Sequence, residues 1–291
     1  QLGRAARDAG APAKRAAACL ELSWRIQDGE TDSQLSDEEL VDILLERFHD
    51  TAPVATAALS ALSTLLMSRP VACEPHLTRI LAALLVPPAG IDAGDAETST
   101  ALPLRLCLSL IVEKQAPAAL LAALRPLLLG GGAAGKATQL AALTFLEKQV
   151  ALSASACDHL ASRHGPGQGV LRMTPLLEDL VQCAGGVGGG AATGGSAVQR
   201  AATRALHAIF LREPSTFLEG AAALPLAARG ALCALLRHSV PDLQRSLERE
   251  MAAAAVATPV APLAEAAEDR SQRPAPSGPA LVWAPPAAEP A

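Results

Sequence analysis

A glycine-rich segment that ends in a lysine is the first part of the chain whose residue types suggest chemistry. Gly130–Lys136 has the spacing of a phosphate-binding loop, in which backbone N–H groups and the lysine hold the phosphates of a nucleotide. The hydroxyl that binds magnesium should follow the lysine directly, but Ala137 stands there and Thr138 comes one place later. The leucines before the glycines close a helical stretch, so no strand leads into the loop. Nucleotide binding is therefore not expected.

Three adjacent residues, Cys157, Asp158 and His159, carry the functional groups of a nucleophilic relay. Sequence neighbours on a helix point about 100° apart and cannot hydrogen-bond to one another as a relay requires. Cys157 and His159 with His164 could bind a metal ion, but a fourth ligand is missing nearby. The sequence therefore predicts no catalytic group, no metal and no cofactor, and we expect a protein that is not an enzyme.

The composition favours helices. Of the 291 residues 50% are hydrophobic but only 2% are aromatic, and Tyr is absent, so Leu, Ala and Val must fill the core. Such side chains suit helix packing, whereas sheets are rich in β-branched and aromatic residues. The net charge of −5 gives no drive toward nucleic acid. No run reaches the roughly 18 apolar residues of a membrane span, so membrane insertion is not expected.

The cysteines indicate the compartment. They lie far apart, mostly in apolar helical stretches and without a Cys-x-x-Cys pair, as expected of small buried side chains with reduced thiols. The N-terminus has no signal-peptide layout. We therefore expect a cytoplasmic protein. The six cysteines are Cys19, Cys73, Cys107, Cys157, Cys183 and Cys233.

Local signals place several helix ends. Ser36 and Glu39 have the spacing of a capping box, which predicts a helix that continues to about Phe48. Thr174-Pro175 predicts the start of another helix, because proline is tolerated in a first helical turn.

One larger unit recurs: an Ala/Leu-rich amphipathic stretch, a break marked by Pro or Gly, and a second apolar stretch. Spacings of roughly 35 to 60 residues between the units bracket the repeat of about 40 to 47 residues in HEAT and armadillo proteins. We predict an all-α fold, a HEAT/armadillo-type α-solenoid of about five helical hairpins over residues 1–254. The Ala/Pro-rich tail, residues 255–291, is predicted to be disordered. A solenoid offers a long binding surface, which favours binding over catalysis.

Basic residues fall at or just before the starts of the first helices of these units. Equivalent turns of a solenoid line one edge, so these residues would form a basic edge on an otherwise acidic protein, suited to an acidic protein surface. Ordinary solvated surface charge accounts for the spacing equally well. The basic edge consists of Lys14, Arg15, His49, Lys136 and Arg200.

The order of elements resembles a TOG domain, in particular the C-terminal TOG domain of the CLASP microtubule-stabilising family. The resemblance is carried by Arg15-Ala-Ala-Ala-Cys-Leu-Glu-Leu22, by Leu45-Glu-Arg-Phe-His-Asp50 and by Ser196-Ala-Val-Gln-Arg200, and it spans roughly residues 14–251. It implies a tubulin-facing edge of five turns. On that edge Lys14 and Arg15 fall at the first turn, His49 at the second, Lys136 at the fourth and Arg200 at the fifth.

The resemblance thus implies a non-enzymatic, microtubule-binding domain of the cytoplasm and cytoskeleton, which contacts tubulin or a plus-end partner. A second interpretation is a general HEAT/armadillo scaffold or adaptor for complex assembly or transport. Such an adaptor would use the groove lined by the second helices of the repeats.

Overall fold

A computed structural model describes residues 11–29, 35–88, 100–130, 135–150, 153–161, 168–184 and 197–237, with a few positions between 244 and 252. Every regular element in this described part is helical. The predicted all-α class is therefore confirmed. The predicted disordered tail, residues 255–291, lies outside the described residues.

The helices follow one another with short connections. In the first half they are α1 Pro12–Asp28, α2 Asp37–Phe48, α3 Ala52–Ser68, α4 Pro70–Cys73, a 3-10 turn Glu74–His76, α5 Leu77–Leu85, α6 Ala101–Lys114 and α7 Pro117–Leu128. In the second half they are α8 Lys136–Phe145, a π-helical segment Leu146–Val150, α9 Ala154–Ala161, α10 Gln168–Cys183, α11 Ala197–Arg212, α12 Pro214–Ala223 and α13 Leu226–Leu236.

Local sequence signals explain several of these ends. The capping box at the start of α2 is confirmed: the Glu39 N–H donates to the Ser36 hydroxyl at 3.2 Å, and the Ser36 N–H donates to the Glu39 carboxylate at 3.1 Å. The helices α1, α3, α7 and α12 each carry proline in the first turn, where no helical N–H bond is lost. Gly29 ends α1 with a φ of 73°, the left-handed region that favours glycine.

The predicted helix start at Thr174-Pro175 was wrong. The helix α10 begins six residues earlier, at Gln168, and contains Pro175 in its interior. The Thr174 hydroxyl donates to the Val170 carbonyl at 2.8 Å, which holds the turn before the proline. Pro175 itself is exposed while the neighbouring Leu177 is fully buried. Burial of the inward face thus outweighs the cost of an interior proline, about 3 kcal/mol.

The helices pack in two rows around a core of Leu and Ala. In the first row α1 packs on α3, α3 on α6 and α8 on α11, and α6 contacts the π-helical segment after α8. In the second row α5 packs on α7, α7 on α10 and α10 on α12. Phe48 and Phe217 are the largest fully buried side chains. These contacts do not decide the finer assignment to a HEAT/armadillo-type solenoid of about five hairpins, which stays a prediction.

Hydrogen bonds between α3 and α6 give the direction of these two neighbours. Near the middle of both helices the Cys107 thiol donates to the Leu59 carbonyl at 3.4 Å. Just past both C-terminal ends the Gln115 amide donates to the Pro70 carbonyl at 3.1 Å. The two helices therefore run in the same direction, so their N-terminal ends lie at the same side of the molecule.

Candidate functional site

A bidentate ion pair joins the start of α1 to the turn before α3. The Arg15 guanidinium donates from Nε to Oδ2 of Asp50 at 2.7 Å and from Nη2 to Oδ1 at 2.9 Å, and both side chains are 12% exposed. Further along the same helices the hydroxyls of Ser23 and Thr64 are 2.8 Å apart. The helices α1 and α3 are therefore parallel, and their N-terminal ends form one corner of the molecule.

Asp50 is the centre of this corner. It also accepts hydrogen bonds from Arg47 Nη1 at 3.1 Å and from the Thr51 backbone N–H at 2.7 Å. The pKa of Asp50 is lowered from 3.8 to about 2, chiefly by the side-chain hydrogen bond from Arg15, with the Thr51 and Arg47 bonds acting in the same direction. The carboxylate is therefore ionised at neutral pH and holds both arginines.

The corner gives different positions to the three basic-edge residues that it contains. Lys14 and His49 are exposed, whereas Arg15 is partly buried and committed to Asp50. A partner could engage the Arg15 guanidinium only by breaking that pair. Arg15 thus positions the corner. Sequence reasoning missed the roles of Asp50 and Arg47; the one available signal was an acid 35 residues after Arg15, a separation close to that of the repeat.

Lys136 lies at a second meeting point of helices. It is the first residue of α8 and is exposed. One turn later the Gln139 amide donates to the Leu128 carbonyl at 2.7 Å, and the Cys183 thiol donates to the same carbonyl at 2.8 Å. The start of α8 therefore lies beside the C-terminal ends of α7 and α10.

Arg200 lies in the first turn of α11, and this residue is exposed. One turn later Arg204 donates from Nε to both carboxylate oxygens of Glu147, at 3.1 and 3.0 Å, which fixes α11 against the π-helical segment after α8. Lys136 and Arg200 thus begin two helices that pack together. None of the contacts between the described residues joins this pair to the corner of Lys14 and His49, so the continuous basic edge stays a prediction.

The other candidate groups take ordinary positions in the described part of the chain. Asp158 is exposed, His159 is half-buried, and the Cys157 side chain lies outside the described residues. Arg172 donates to the His159 carbonyl at 3.0 Å, and burial together with the Arg172 cation lowers the pKa of His159.

The glycine-rich segment and the metal-ligating residues give no site among the described residues. Leu127 and Leu128 belong to α7, so a helix leads into the glycine-rich segment, whose residues 131–134 lie outside the description. Across the described residues no group of three or more His, Cys, Asp or Glu is placed to hold a metal ion.

The buried cysteines fit the interpretation as small apolar side chains. Burial raises the pKa to about 11 for Cys19 and Cys183 and to about 12 for Cys73 and Cys107. Cys233 is half-buried, and burial also raises its pKa. These thiols stay protonated at neutral pH, which makes them poor nucleophiles.

Within the described residues no individual helix is both long and apolar enough for a membrane span. The helix Ala52–Ser68 passes that test only together with the helical stretch Pro70–Leu85, and the two are bent by 119° at the break between them.

Comparisons with known proteins assign no family. No family model matches the chain, and no curated protein matches it either. Among solved structures the chain is similar to an engineered protein from the Northeast Structural Genomics Consortium, with 16% sequence identity and a TM-score of 0.33. That match covers 86% of this chain and 95% of the engineered protein. A TM-score this low establishes neither a shared architecture nor a shared function.

Proposed function

We propose that this chain is a non-enzymatic binding domain of a microtubule-associated, CLASP-like protein, and that it contacts tubulin or a plus-end partner through the basic edge. The observation that carries the proposal is the Arg15–Asp50 ion pair, which brings the exposed Lys14 and His49 to one corner. In a solenoid the starts of later first-row helices continue the same edge. The domain would act in the cytoplasm, on the cytoskeleton.

The sequence separation of contacting residues supports a repeated unit. In the second row Thr78 of α5 donates to the Ala123 carbonyl of α7, 45 residues later. Thr174 of α10 donates to the Gly220 carbonyl of α12, 46 residues later. Both separations lie within the repeat length of about 40 to 47 residues that HEAT and armadillo units show.

Charge favours an acidic partner. The chain as a whole is acidic, with a net charge of −5, yet Lys14, Lys136 and Arg200 are exposed cations at the starts of α1, α8 and α11. Exposed charges act over a Debye length of about 8 to 10 Å at physiological ionic strength. Binding through this edge should therefore weaken as salt rises.

Co-sedimentation with microtubules tests the proposal. The variant reverses three charges, Lys14→Glu, Lys136→Glu and Arg200→Glu. Arg15 stays unchanged, because its replacement would leave Asp50 without its bidentate partner and would confuse lost binding with lost folding. We expect the wild type to pellet with microtubules at low salt and the variant to stay in the supernatant.

A matched control separates position from net charge. Lys114, Lys148 and Arg212 are exposed cations at the C-terminal ends of first-row elements: α6, the π-helical segment and α11. Reversing these three changes the net charge by the same amount as the edge variant. The control variant should pellet like the wild type. Equal pelleting of all three proteins would contradict the role of the basic edge, and equal loss in both variants would show that only net charge matters.

One observation favours the second candidate function, an adaptor for complex assembly or transport. A cavity of about 420 Å³ lies between α5 with its preceding 3-10 turn and α7, on the second row. An adaptor that used the second row would bind its partner there and not at the basic edge. The residues that line the cavity are Glu74, Pro75, Thr78, Ala119, Ala122 and Ala123.

A further inference from the structure

The exposed face of α1 carries an apolar stripe, made of Ala13, Ala17, Leu20 and Trp24. Trp24 is 70% exposed and Leu20 46% exposed, and both alanines are exposed. The four positions follow the spacing i, i+4, i+7 and i+11, which aligns side chains along one face of a helix. An exposed apolar surface centred on tryptophan is typical of a contact between proteins.

The apolar stripe faces away from the rest of the first row. The opposite face of α1, with Cys19, Leu22 and Ile26, is buried, and α3 is the described helix that α1 mainly packs on. A helix at the end of a stacked array usually presents a polar outer face, because no further helix covers it. The outer face of α1 departs from that rule.

The charges at the two ends of α1 identify the occupant. Lys14 lies in the first turn and Asp28 is the last residue, and both are exposed. Each charge lies near the pole of its own sign, since the N-terminus of a helix is positive and its C-terminus negative. A second α1 laid antiparallel would place Lys14 against Asp28 of the partner subunit and each charge near an opposite pole. The same register sets Trp24 over the small Ala17 of the partner subunit.

We propose that α1 is a self-association helix: two copies of this chain pair antiparallel through the apolar stripe, with Lys14 of each copy against Asp28 of the other. This proposal does not rest on the proposed function. A single helix pair buries less than the roughly 1,200 Å² of a stable interface, so the dimer is weak and forms reversibly. The two-fold arrangement uses the same patch on both copies, as closed dimers do.

Sedimentation equilibrium of the full 291-residue chain at low salt tests the pairing. The expected result is a mass that rises with concentration from 29.7 kDa toward twice that value. The Trp24→Ala variant should remain at the monomer mass over the same range. Trp24 fluorescence, measured after Trp283→Phe removes the second tryptophan, should shift to shorter wavelength as the dimer forms.

Charge complementation tests the antiparallel register. In Lys14→Asp alone, or Asp28→Lys alone, both end contacts of the dimer join like charges, and the dissociation constant should rise roughly tenfold or more. An equimolar mixture of the two variants restores opposite charges at both contacts and should recover the dimer. Each change also agrees with the helix poles, so neither should unfold α1.

Four outcomes would overturn the proposal. The first is a monomer with solvent-exposed Trp24 at concentrations up to about 1 mM, where a micromolar dissociation constant would populate the dimer. The second is a monomer whose Trp24 is shielded, which would show that another segment of the same chain covers the stripe. The third is a dimer that survives Trp24→Ala, and the fourth is a dimer that the mixture of charge variants does not restore.

Discussion

Replacing Gly220 by alanine should disturb the packing of α12 on α10. A Cβ atom at position 220 would lie 2.8 Å from Cγ and 3.0 Å from Cβ of Met173, whereas ordinary van der Waals contacts begin near 3.4 Å. Met173 is fully buried, and its own Cβ is fixed to the backbone, so the side chain cannot swing away. Overpacking of this kind costs about 1 to 3 kcal/mol. Against this, alanine gains about 1 kcal/mol over glycine inside a helix.

Gly230 supplies the matched control. It lies in α13, and a Cβ there meets nothing within 4 Å, so Gly230→Ala should gain the helix preference without the clash. The free energies of unfolding of the two variants should therefore differ by about 1 to 3 kcal/mol, with Gly220→Ala the less stable. In a domain of this size each kcal/mol moves the melting temperature by about 2 to 4 °C.

Urea denaturation and thermal unfolding measure the difference, and a third protein identifies its cause. In a Met173→Ala background the clash partner is shortened, so Gly220→Ala should cost much less than it does in the wild type. If Gly220→Ala is as stabilising as Gly230→Ala, the close approach of α12 to Met173 is wrong.

Three further predictions concern local features. Ser36→Ala removes a cap that bonds the Glu39 N–H and should cost about 1 kcal/mol in the free energy of unfolding, whereas Thr51→Ala should cost much less, because the Thr51 side chain makes no cap bond; equal costs in a denaturation experiment would refute this. Asp50→Asn should destabilise the protein at neutral pH, but because the folded pKa of Asp50 lies below its unfolded value, the difference from wild type should shrink as pH falls from about 4 to about 2; a difference that persists at pH 2 would contradict the ion pair. Thiol labelling read by mass spectrometry at pH 8 should modify Cys233, which is half-buried, faster than the fully buried Cys107, and the reverse order would be inconsistent with the fold.

The parts of the fold that local chemistry determines could be predicted from the sequence. A capping box at Ser36 and a proline at position 117 specify helix starts without help from the rest of the chain. Pro175 gave a false start because buried neighbours keep α10 helical through it. The helix α12 was not predicted, since Gly220 suggested a break; the structure shows that this glycine lets α12 approach α10 closely.

The basic corner shows a similar limit. The charge of Arg15 was visible in the sequence, and so was its place at the start of a helix. Its commitment to Asp50 depends on how α1 packs against α3, which a linear pattern does not contain. The exposed Lys14 beside it has no such commitment printed in its surroundings: it reaches solvent at the helix start. Tertiary contacts therefore decide which cations of a basic cluster face outward.

Hydrogen–deuterium exchange of the chain with and without tubulin tests the central claim most directly, because it locates the contact. Binding through the basic edge predicts slower exchange in the first turns of α1, α3, α8 and α11, where Lys14, His49, Lys136 and Arg200 lie at or beside the helix starts. The C-terminal ends of the same helices should exchange at unchanged rates. Unchanged exchange everywhere, or protection confined to those C-terminal ends, would contradict the account.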